Sequence, residues 1–96
     1  VAKEANVYFD GRVISRTVMF TDGSKKTLGV MLPGDYEFGT EVAELMEISS
    51  GAMDVLLPQA TEWISITAGM SFEVPAKETF GVKVRAITNY CCSYLS

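Results

Sequence analysis

The sequence predicts an all-β fold, built as a small antiparallel barrel or sandwich. Between residues 44 and 80, short runs of alternating apolar and polar residues are separated by glycine, proline and polar turns. Phe72 and Val74, for example, share one parity and end at Pro75. Strands about 8–12 residues apart with such boundaries are typical of all-β architectures. Because a chain of 96 residues rarely supports two separate cores, we expect one domain spanning residues 1–96.

The predicted strands follow one another with little chain between them. They cover residues 6–9, 12–20, 25–32, 35–38, 46–49, 53–57, 63–66, 72–74, 80–84 and 90–95. Asp22-Gly23 predicts a hairpin between the second and third strands, since this dipeptide is a strong hairpin signal. We expect a loose terminus at 1–5, a helical turn at 41–44 and a loop at 86–89. The pattern favours no helix longer than two turns.

The strand at residues 12–20 allows two orientations. One orientation buries the odd-numbered residues Val13, Ser15, Thr17 and Met19. The other buries Ile14, Val18 and Phe20, with Arg12 and Arg16 beside them. The sequence leaves both open. In the last strand, alternation places Tyr90, Cys92 and Tyr94 on one face.

Composition excludes several classes of partner. The net charge is −4 and basic residues do not cluster, which argues against nucleic-acid binding. No window approaches the ~18 apolar residues of a membrane span, and the first residues, VAKEAN, lack the apolar core of a signal peptide. The high hydrophobic content, 48%, predicts apolar surface outside the core and hence a homodimer, although a tightly filled barrel is the alternative.

The two cysteines, Cys91 and Cys92, are neighbours in the sequence. Adjacent residues do not readily reach disulfide geometry, so we expect both to be reduced, with Cys92 buried and Cys91 more exposed. Reduced cysteines without a disulfide framework are typical of a cytoplasmic protein.

The chain contains no histidine, which limits its chemistry. The common serine and cysteine hydrolase triads need one, and transition metals generally prefer nitrogen ligands to carboxylates alone. A site made of Asp35, Glu37 and Glu44 would hold only a hard, weakly bound cation. A glycine-rich phosphate loop is also absent. We therefore expect no functional metal, and chemistry that relies on carboxylates, basic side chains, hydroxyls and backbone amides.

The glycine and proline spacing resembles that of cupins. Gly69 and Pro75 fit the second cupin motif, whereas Phe80 stands at the position of its metal-binding histidine. Glu44 and Gly51 fit the end of the first motif. The resemblance implies a single-domain, cupin-like antiparallel β-barrel of the jelly-roll type that lacks the histidine ligands.

A closer resemblance covers nearly the whole chain. It is carried by Tyr8-Phe9, by the segments LGVM (28–31), YEF (36–38), MEISSG (46–51), LLPQATEW (56–63) and SFEVP (71–75), and by the tail Tyr90, Cys92, Tyr94 and Leu95. These segments resemble the pyrimidine/purine nucleoside phosphorylases, a family of small, metal-free cupins. The sequence departs at Ser93, where some relatives are expected to carry a larger basic residue.

The resemblance implies phosphorolysis of purine and pyrimidine nucleosides to free base and ribose 1-phosphate, without a cofactor. Glu44 is the candidate catalytic residue, because it holds the cupin ligand position and is in phase with Met46 and Ile48; a glutamate at the barrel mouth facing water is the alternative. The candidate substrate-binding residues are Tyr36, Phe38, Tyr90 and Tyr94 for the base and ribose, and Arg12, Arg16 and Lys25 for phosphate. Glu37 is expected at the surface. Two other functions stay open, a non-catalytic cupin that binds a sugar or nucleoside and a structural dimerisation domain.

Overall fold

The structure of the protein is a computed structural model that describes residues 4–95. Its strands are β1 (Asn6–Tyr8), β2 (Val13–Met19), β3 (Lys25–Met31), β4 (Gly34–Gly39), β5 (Glu44–Ser50), β6 (Ala52–Leu56), β7 (Ile64–Thr67), β8 (Ser71–Val74), β9 (Thr79–Val84) and β10 (Thr88–Tyr94). A single turn, Phe9–Gly11, joins β1 to β2. Within residues 4–95 no helix is long and apolar enough to cross a membrane.

The strands form two antiparallel sheets, which confirms the all-β prediction. The larger sheet has the order β1-β2-β3-β10-β5-β8, and the smaller has the order β4-β9-β6-β7. The backbone hydrogen bonds of the two sheets do not join into a closed ring, so the predicted barrel is an open sandwich. Each strand sends alternate side chains into the space between the sheets.

The core lies between the sheets and is made of aliphatic, methionine and aromatic side chains. Its members are Val13, Met31, Tyr36, Met46, Ile48, Met53, Val55, Ile66, Phe72, Val74, Phe80, Val82, Val84, Tyr90 and Cys92. Met53 and Val55 of β6 and Val13 of β2 are fully buried, and the exposed fraction of Val74 of β8 is 1%. Burying one such side chain contributes about 1.5–3 kcal/mol.

The register of the larger sheet brings several polar side chains together on its inner face. Cys92 of β10 lies between Thr27 of β3 and Met46 of β5. Two residues further along β10, Tyr94 is directly opposite Glu44. Because residues directly opposite in antiparallel strands have Cβ atoms about 5 Å apart, these side chains share one small area.

The structure decides the orientation of β2. Val13 and Ser15 are buried and Thr17 is partly buried, whereas Ile14 and Arg16 are exposed. The odd-numbered orientation is therefore the correct one, except that Met19 lies at the end of the strand and is exposed. The placement of Arg12 and Arg16 beside buried residues was wrong.

Two local predictions were also wrong. Residues 41–42 form a bend and no helical turn follows, because Glu44 already begins β5, where its backbone pairs with both β10 and β8. Residues 86–89 are not all loop, since β10 begins at Thr88, which is completely buried. The predicted loose terminus falls partly on residues 1–3, which lie outside the described residues.

A buried threonine holds the connection between β8 and β9. The Thr40 hydroxyl donates to the Pro75 carbonyl at 2.6 Å and accepts from the Glu78 backbone N–H at 3.1 Å. The Thr40 backbone N–H also donates to the Glu78 carbonyl at 2.9 Å. These bonds fix the turn in which Lys77 has a positive φ of 57°. The turn leads directly into β9, which carries Phe80.

Candidate functional site

A half-open cavity of about 480 Å³ lies between the two sheets. A cavity of this size falls within the range that holds drug-sized ligands. One wall is polar and comes from the larger sheet, with Ser15, Thr27, Glu44, Tyr90, Cys92 and Tyr94. The opposite wall is aromatic, with Tyr8, Phe9, Phe38 and Phe80, and Met31, Met46, Glu37 and Gly39 complete the lining.

Two hydrogen bonds organise the polar wall. The Cys92 thiol donates to Oε1 of Glu44 over 3.4 Å. The hydroxyls of Thr27 and Tyr94 share a second bond, also of 3.4 Å. Both pairs join neighbouring strands on the inner face, so the wall is a continuous set of polar groups.

Glu44 is the carboxylate of this wall. Its side chain is half-buried, and burial raises its pKa above the ordinary value, while the hydrogen bond from Cys92 offsets part of that rise. Desolvation disfavours the charged form, and a half-buried carboxylate gains most from a ligand that donates hydrogen bonds. The side chain of Glu44 lines the cavity, as expected from its phase with Met46 and Ile48, and is partly exposed there.

Tyr90 forms the floor of the cavity. Burial raises its pKa to about 12, so its hydroxyl stays protonated near neutral pH. The ring lies directly against Gly29 of β3, where an added Cβ would come within 2.6 Å of the Tyr90 Cε1 atom. A residue without a side chain is therefore needed at position 29 for the ring to pack flat on the sheet.

The aromatic wall is a chain of touching rings. Phe9 contacts Phe38 edge-on, with ring centres 5.5 Å apart, and Phe38 contacts Phe80 at 5.7 Å. Phe9 reaches this position because it and Asp10 have positive φ angles of 51° and 55°. Such angles are uncommon for residues other than glycine and are concentrated at functional sites.

Four of the predicted site residues line the cavity together: Glu44, Phe38, Tyr90 and Tyr94. Tyr36 does not. It is buried behind the aromatic wall, 4.9 Å from Phe9 between ring centres, and its hydroxyl donates to the Leu32 carbonyl at 2.6 Å. Its ring contacts Phe9 and also Phe38, at 6.3 Å between ring centres, so Tyr36 packs against two residues of the cavity wall without lining the cavity itself.

The three predicted phosphate-binding residues are dispersed. Arg12 is exposed outside the cavity, where its Nε donates to the Phe9 carbonyl at 3.3 Å and its guanidinium covers the outer side of Tyr36 at 5.5 Å. Arg16 is exposed on the outer face of the larger sheet, because Ser15 takes the inward position. Lys25 lies near the cavity rim, with its ammonium 5.3 Å from the centre of the Tyr94 ring.

Several cavity residues were missed. Ser15 and Thr27 are small polar residues at inward positions, a signal that becomes readable once the orientation of β2 is known. Tyr8 ends β1 and Phe9 begins the turn that follows, and no local pattern in the sequence indicates that either reaches the cavity. Glu37 is exposed, as predicted, but also borders the cavity.

The predicted weak-cation alternative is not supported by the geometry. Within residues 4–95, no three Asp, Glu or Cys side chains converge in a way that could hold a metal ion. Asp35 lies outside the cavity that holds Glu44. Phe80, at the position of the cupin histidine, contributes its ring to the cavity wall instead of a ligand.

Trp63 packs on the opposite side of the smaller sheet. Its ring lies against Gly81, and the ammonium of Lys83 stands 4.4 Å from the ring centre. Both cysteines are free, with Cys92 buried and Cys91 partly exposed, as predicted. Ser93 is buried between Lys26 of β3 and Leu45 of β5 and is not among the residues that line the cavity.

Comparison with known proteins agrees with this description. The family model for pyrimidine/purine nucleoside phosphorylases matches residues 3–94. Relatives described by that name are found in Hydrogenovibrio crunogenus, at 62% identity over 99% of this chain and 91% of the relative, and in a Sulfurovum species, at 65% identity over 99% and 92%.

Solved structures give the same fold. A crystal structure of a protein of unknown function from Acinetobacter sp. ADP1 superposes with a TM-score of 0.95 at 44% identity, covering 98% of this chain and 91% of that one. An RmlC-like cupin from Shewanella frigidimarina superposes with a TM-score of 0.75 at 16% identity, covering 95% and 81%. The predicted cupin-like fold is confirmed.

Proposed function

The chain belongs to the pyrimidine/purine nucleoside phosphorylase family, and we propose that it is a broad-specificity pentosyltransferase. It transfers the ribosyl group of purine and pyrimidine nucleosides to inorganic phosphate, releasing the free base and ribose 1-phosphate. The observation that carries this proposal is the division of one cavity into a polar wall around Glu44 and an aromatic wall around Phe38.

The two walls fit the two halves of a nucleoside. The rings of Phe9, Phe38 and Phe80 offer a face on which either kind of base can stack, since stacking depends little on the base edge. Opposite them, the carboxylate of Glu44 accepts hydrogen bonds from ribose hydroxyls, with Tyr94 beside it. Recognition through ring faces and ribose hydroxyls explains how one cavity serves both purines and pyrimidines.

The reaction replaces the bond from C1′ to the base nitrogen with a bond from C1′ to a phosphate oxygen. The base leaves with the electron pair of the old bond, and the proton that it gains overall is the one lost by hydrogen phosphate. The sugar passes through an oxocarbenium-like state, as in glycoside cleavage. The negative charge of Glu44 stabilises this positive sugar more strongly than the neutral ground state, which is the requirement for catalysis.

Phosphate needs a positive charge, and we propose that Lys25 supplies it, because its ammonium lies 5.3 Å from the ring centre of the cavity residue Tyr94. Its ammonium stands over the Tyr94 ring at the rim, and the Thr27 and Tyr94 hydroxyls lie just inside. A lysine side chain is long and mobile enough to move from the ring onto a bound phosphate. Arg12 and Arg16 lie outside this cavity and are not part of the proposed site.

We also propose a homodimer that forms through the outer face of the larger sheet. This face exposes 59% of Val7, 41% of Ile14 and 53% of Leu28 on adjacent strands. Lys26 on β3 and Glu47 on β5 face outward on the two sides of β10. Opposite charges on the two sides of one strand suit self-association about a two-fold axis at β10, because such an axis would turn the Lys26 side of each copy toward the Glu47 side of the other.

Product formation tests the function directly. The protein is incubated with inosine or with uridine, with and without inorganic phosphate, and the free base is measured by chromatography. We expect base to be released from both nucleosides when phosphate is present and not otherwise. Thermal stabilisation by nucleoside without release would indicate a binding protein instead, and would overturn the proposed function.

Matched variants test the assigned roles. Glu44→Gln is expected to lower turnover at least about tenfold, equivalent to roughly 1.4 kcal/mol, whereas Glu73→Gln, at an exposed position of the neighbouring strand β8, is expected to keep it. Lys25→Ala is expected to raise the KM for phosphate about tenfold, with Lys83→Ala, at an exposed position of the smaller sheet, as its control. Unchanged turnover in Glu44→Gln would remove this residue from the mechanism.

A further inference from the structure

Cys92 lies next to the carboxylate that the proposed reaction uses. It is 4% exposed, occupies the middle of the inner face of β10, and contributes to the cavity lining. Its thiol donates to Oε1 of Glu44 at 3.4 Å. Its sequence neighbour Cys91 points to the other face of the sheet, so the two cysteines sit in different environments on one strand.

The environment of Cys92 makes it a hydrogen-bond donor rather than a nucleophile. Burial, together with the negative charge of Glu44, raises the pKa of the Cys92 thiol to about 12. Reactive cysteines are those whose pKa is lowered, because the thiolate is the nucleophile. At neutral pH Cys92 therefore carries its proton and can present it to the carboxylate.

We propose that Cys92 is a positioning residue for Glu44, holding one carboxylate oxygen through its S–H group and leaving the other oxygen to receive the ribose hydroxyls. The inference deepens the proposed function and rests on it. A glutamate side chain has several rotatable bonds, and the strand pairing of Glu44 fixes only its backbone. An error of about 1 Å in the placement of a catalytic group costs up to about a hundredfold in rate.

The geometry also excludes the other neighbours as the anchor. Tyr94 is directly opposite Glu44, but its hydroxyl bonds with Thr27. Val74, the partner on the other side, has no polar group in its side chain. Among the titratable groups, Glu37 and Tyr8 border the same cavity but make no hydrogen bond with Glu44 among those described for residues 4–95.

Three variants separate positioning from packing. Cys92→Ala removes the donor and is expected to lower kcat about tenfold while the KM for phosphate changes less than about twofold. Cys92→Ser keeps a donor of similar size and is expected to retain kcat within about threefold. Cys91→Ala is the matched control, because it removes a thiol of the same strand on the outer face. Equal losses in Cys92→Ala and Cys92→Ser, or a Cys91→Ala loss as large as either, would overturn the positioning role.

A second measurement does not depend on turnover. Carboxyl carbon NMR of protein with labelled glutamate follows the titration of Glu44 in the whole chain, assigned with Glu44→Gln. Because the Cys92 hydrogen bond opposes the rise in the pKa of Glu44, Cys92→Ala is expected to move its titration midpoint to higher pH, and Cys91→Ala is expected not to. An unchanged midpoint in Cys92→Ala would overturn the inference.

The two measurements distinguish failure of this inference from failure of the proposed function. A wild-type protein that releases no base, but whose Glu44 midpoint moves in Cys92→Ala, would overturn the phosphorylase proposal and still support the coupling of the two side chains. A wild-type protein that is active, with Cys92→Ala equally active and its midpoint unmoved, would overturn the inference alone.

Discussion

The packing of Tyr90 against Gly29 predicts that one methyl group can alter substrate preference. In Gly29→Ala, the new Cβ would lie within 2.6 Å of the Tyr90 ring. Carbon atoms in contact are ordinarily 3.5–4.0 Å apart, so the ring has to move by about 1 Å. The backbone of β3 is paired on both sides, by β2 and β10, and resists the shift. The ring therefore moves toward the cavity, which it already lines.

The expected effect follows from the space that is lost. A purine fills more of the cavity than a pyrimidine does. The shift of the Tyr90 ring into the cavity therefore weakens purine binding before pyrimidine binding. A mismatch of about one methylene in an apolar pocket costs about 1–3 kcal/mol, or about 10–200-fold in kcat/KM. We expect kcat/KM for inosine to fall at least about tenfold relative to that for uridine, with the uridine value changing less than about threefold.

The assay compares the phosphorolysis of inosine and uridine by the variant and the wild type at saturating phosphate. Gly81→Ala is the matched control, because its Cβ would also press on an aromatic ring, that of Trp63 at 3.2 Å, but on the outer side of the smaller sheet. Thermal unfolding confirms that both variants fold. An unchanged ratio of inosine to uridine activity in folded Gly29→Ala would refute the idea that Tyr90 sets the depth of the cavity.

Three further predictions concern stability and assembly. Thr40→Val keeps the shape but removes the hydrogen bonds of the hydroxyl with Pro75 and Glu78. The free energy of unfolding should therefore fall by about 2 kcal/mol and Tm by about 8–16 °C, whereas Thr40→Ser should stay near wild type in calorimetry. Because burial holds the pKa of Glu44 above its ordinary 4.5, the folded state binds this proton more tightly than the unfolded chain, and stability is lost as pH rises through that range. Glu44→Gln should therefore melt higher than wild type near pH 7 and about equally below pH 4, and a lower Tm at neutral pH would contradict this. If the proposed homodimer forms, light scattering should show a dimer for the wild type and a monomer for Leu28→Asp, whereas Ile64→Asp, which also replaces an exposed apolar residue but on the smaller sheet, should leave the mass unchanged.

The strand pattern was readable from the sequence because its boundaries are set by backbone geometry. Gly51 separates β5 from β6 with a φ of 104°, and an added Cβ would meet the Ile87 carbonyl and the Thr88 backbone. At Asp22-Gly23, the aspartate accepts from the Ser24 backbone N–H at 2.9 Å. Such positions impose a turn locally, so the sequence carries the signal without knowledge of the rest of the fold.

The orientation of β2 could not be predicted from the sequence, because one of its solvent-exposed residues is apolar. Ile14 is 41% exposed and apolar, so both faces of this strand carry β-branched residues. Alternation marks the inner face only where the outer face is polar. The error over Arg12 and Arg16 follows from this ambiguity. The same apolar outer face is the one proposed to bind a second copy.

Glu44 could be predicted whereas Tyr36 could not be placed correctly, because the two predictions depend on different information. Glu44 lies in phase with two buried residues of its own strand, which is a local signal. Tyr36 is also buried, but the Leu32 carbonyl takes its hydroxyl and Phe9 covers its ring. The path of the turn at Phe9–Gly11 decides which aromatic residue reaches the cavity, and that path is set by long-range packing.

The position of Phe80 connects the scaffold with the proposed substrate. In the cupin motif this position holds a metal-binding histidine, whereas here the ring extends the aromatic wall, 5.7 Å from Phe38 and 5.9 Å from Phe72. Glu44 keeps its place in the same cavity, with a thiol rather than an imidazole as its neighbour. A carboxylate facing stacked rings across about 480 Å³ is suited to a ligand with a flat apolar part and a hydroxylated part. A nucleoside has both parts, and a sugar alone would leave the aromatic wall without a partner.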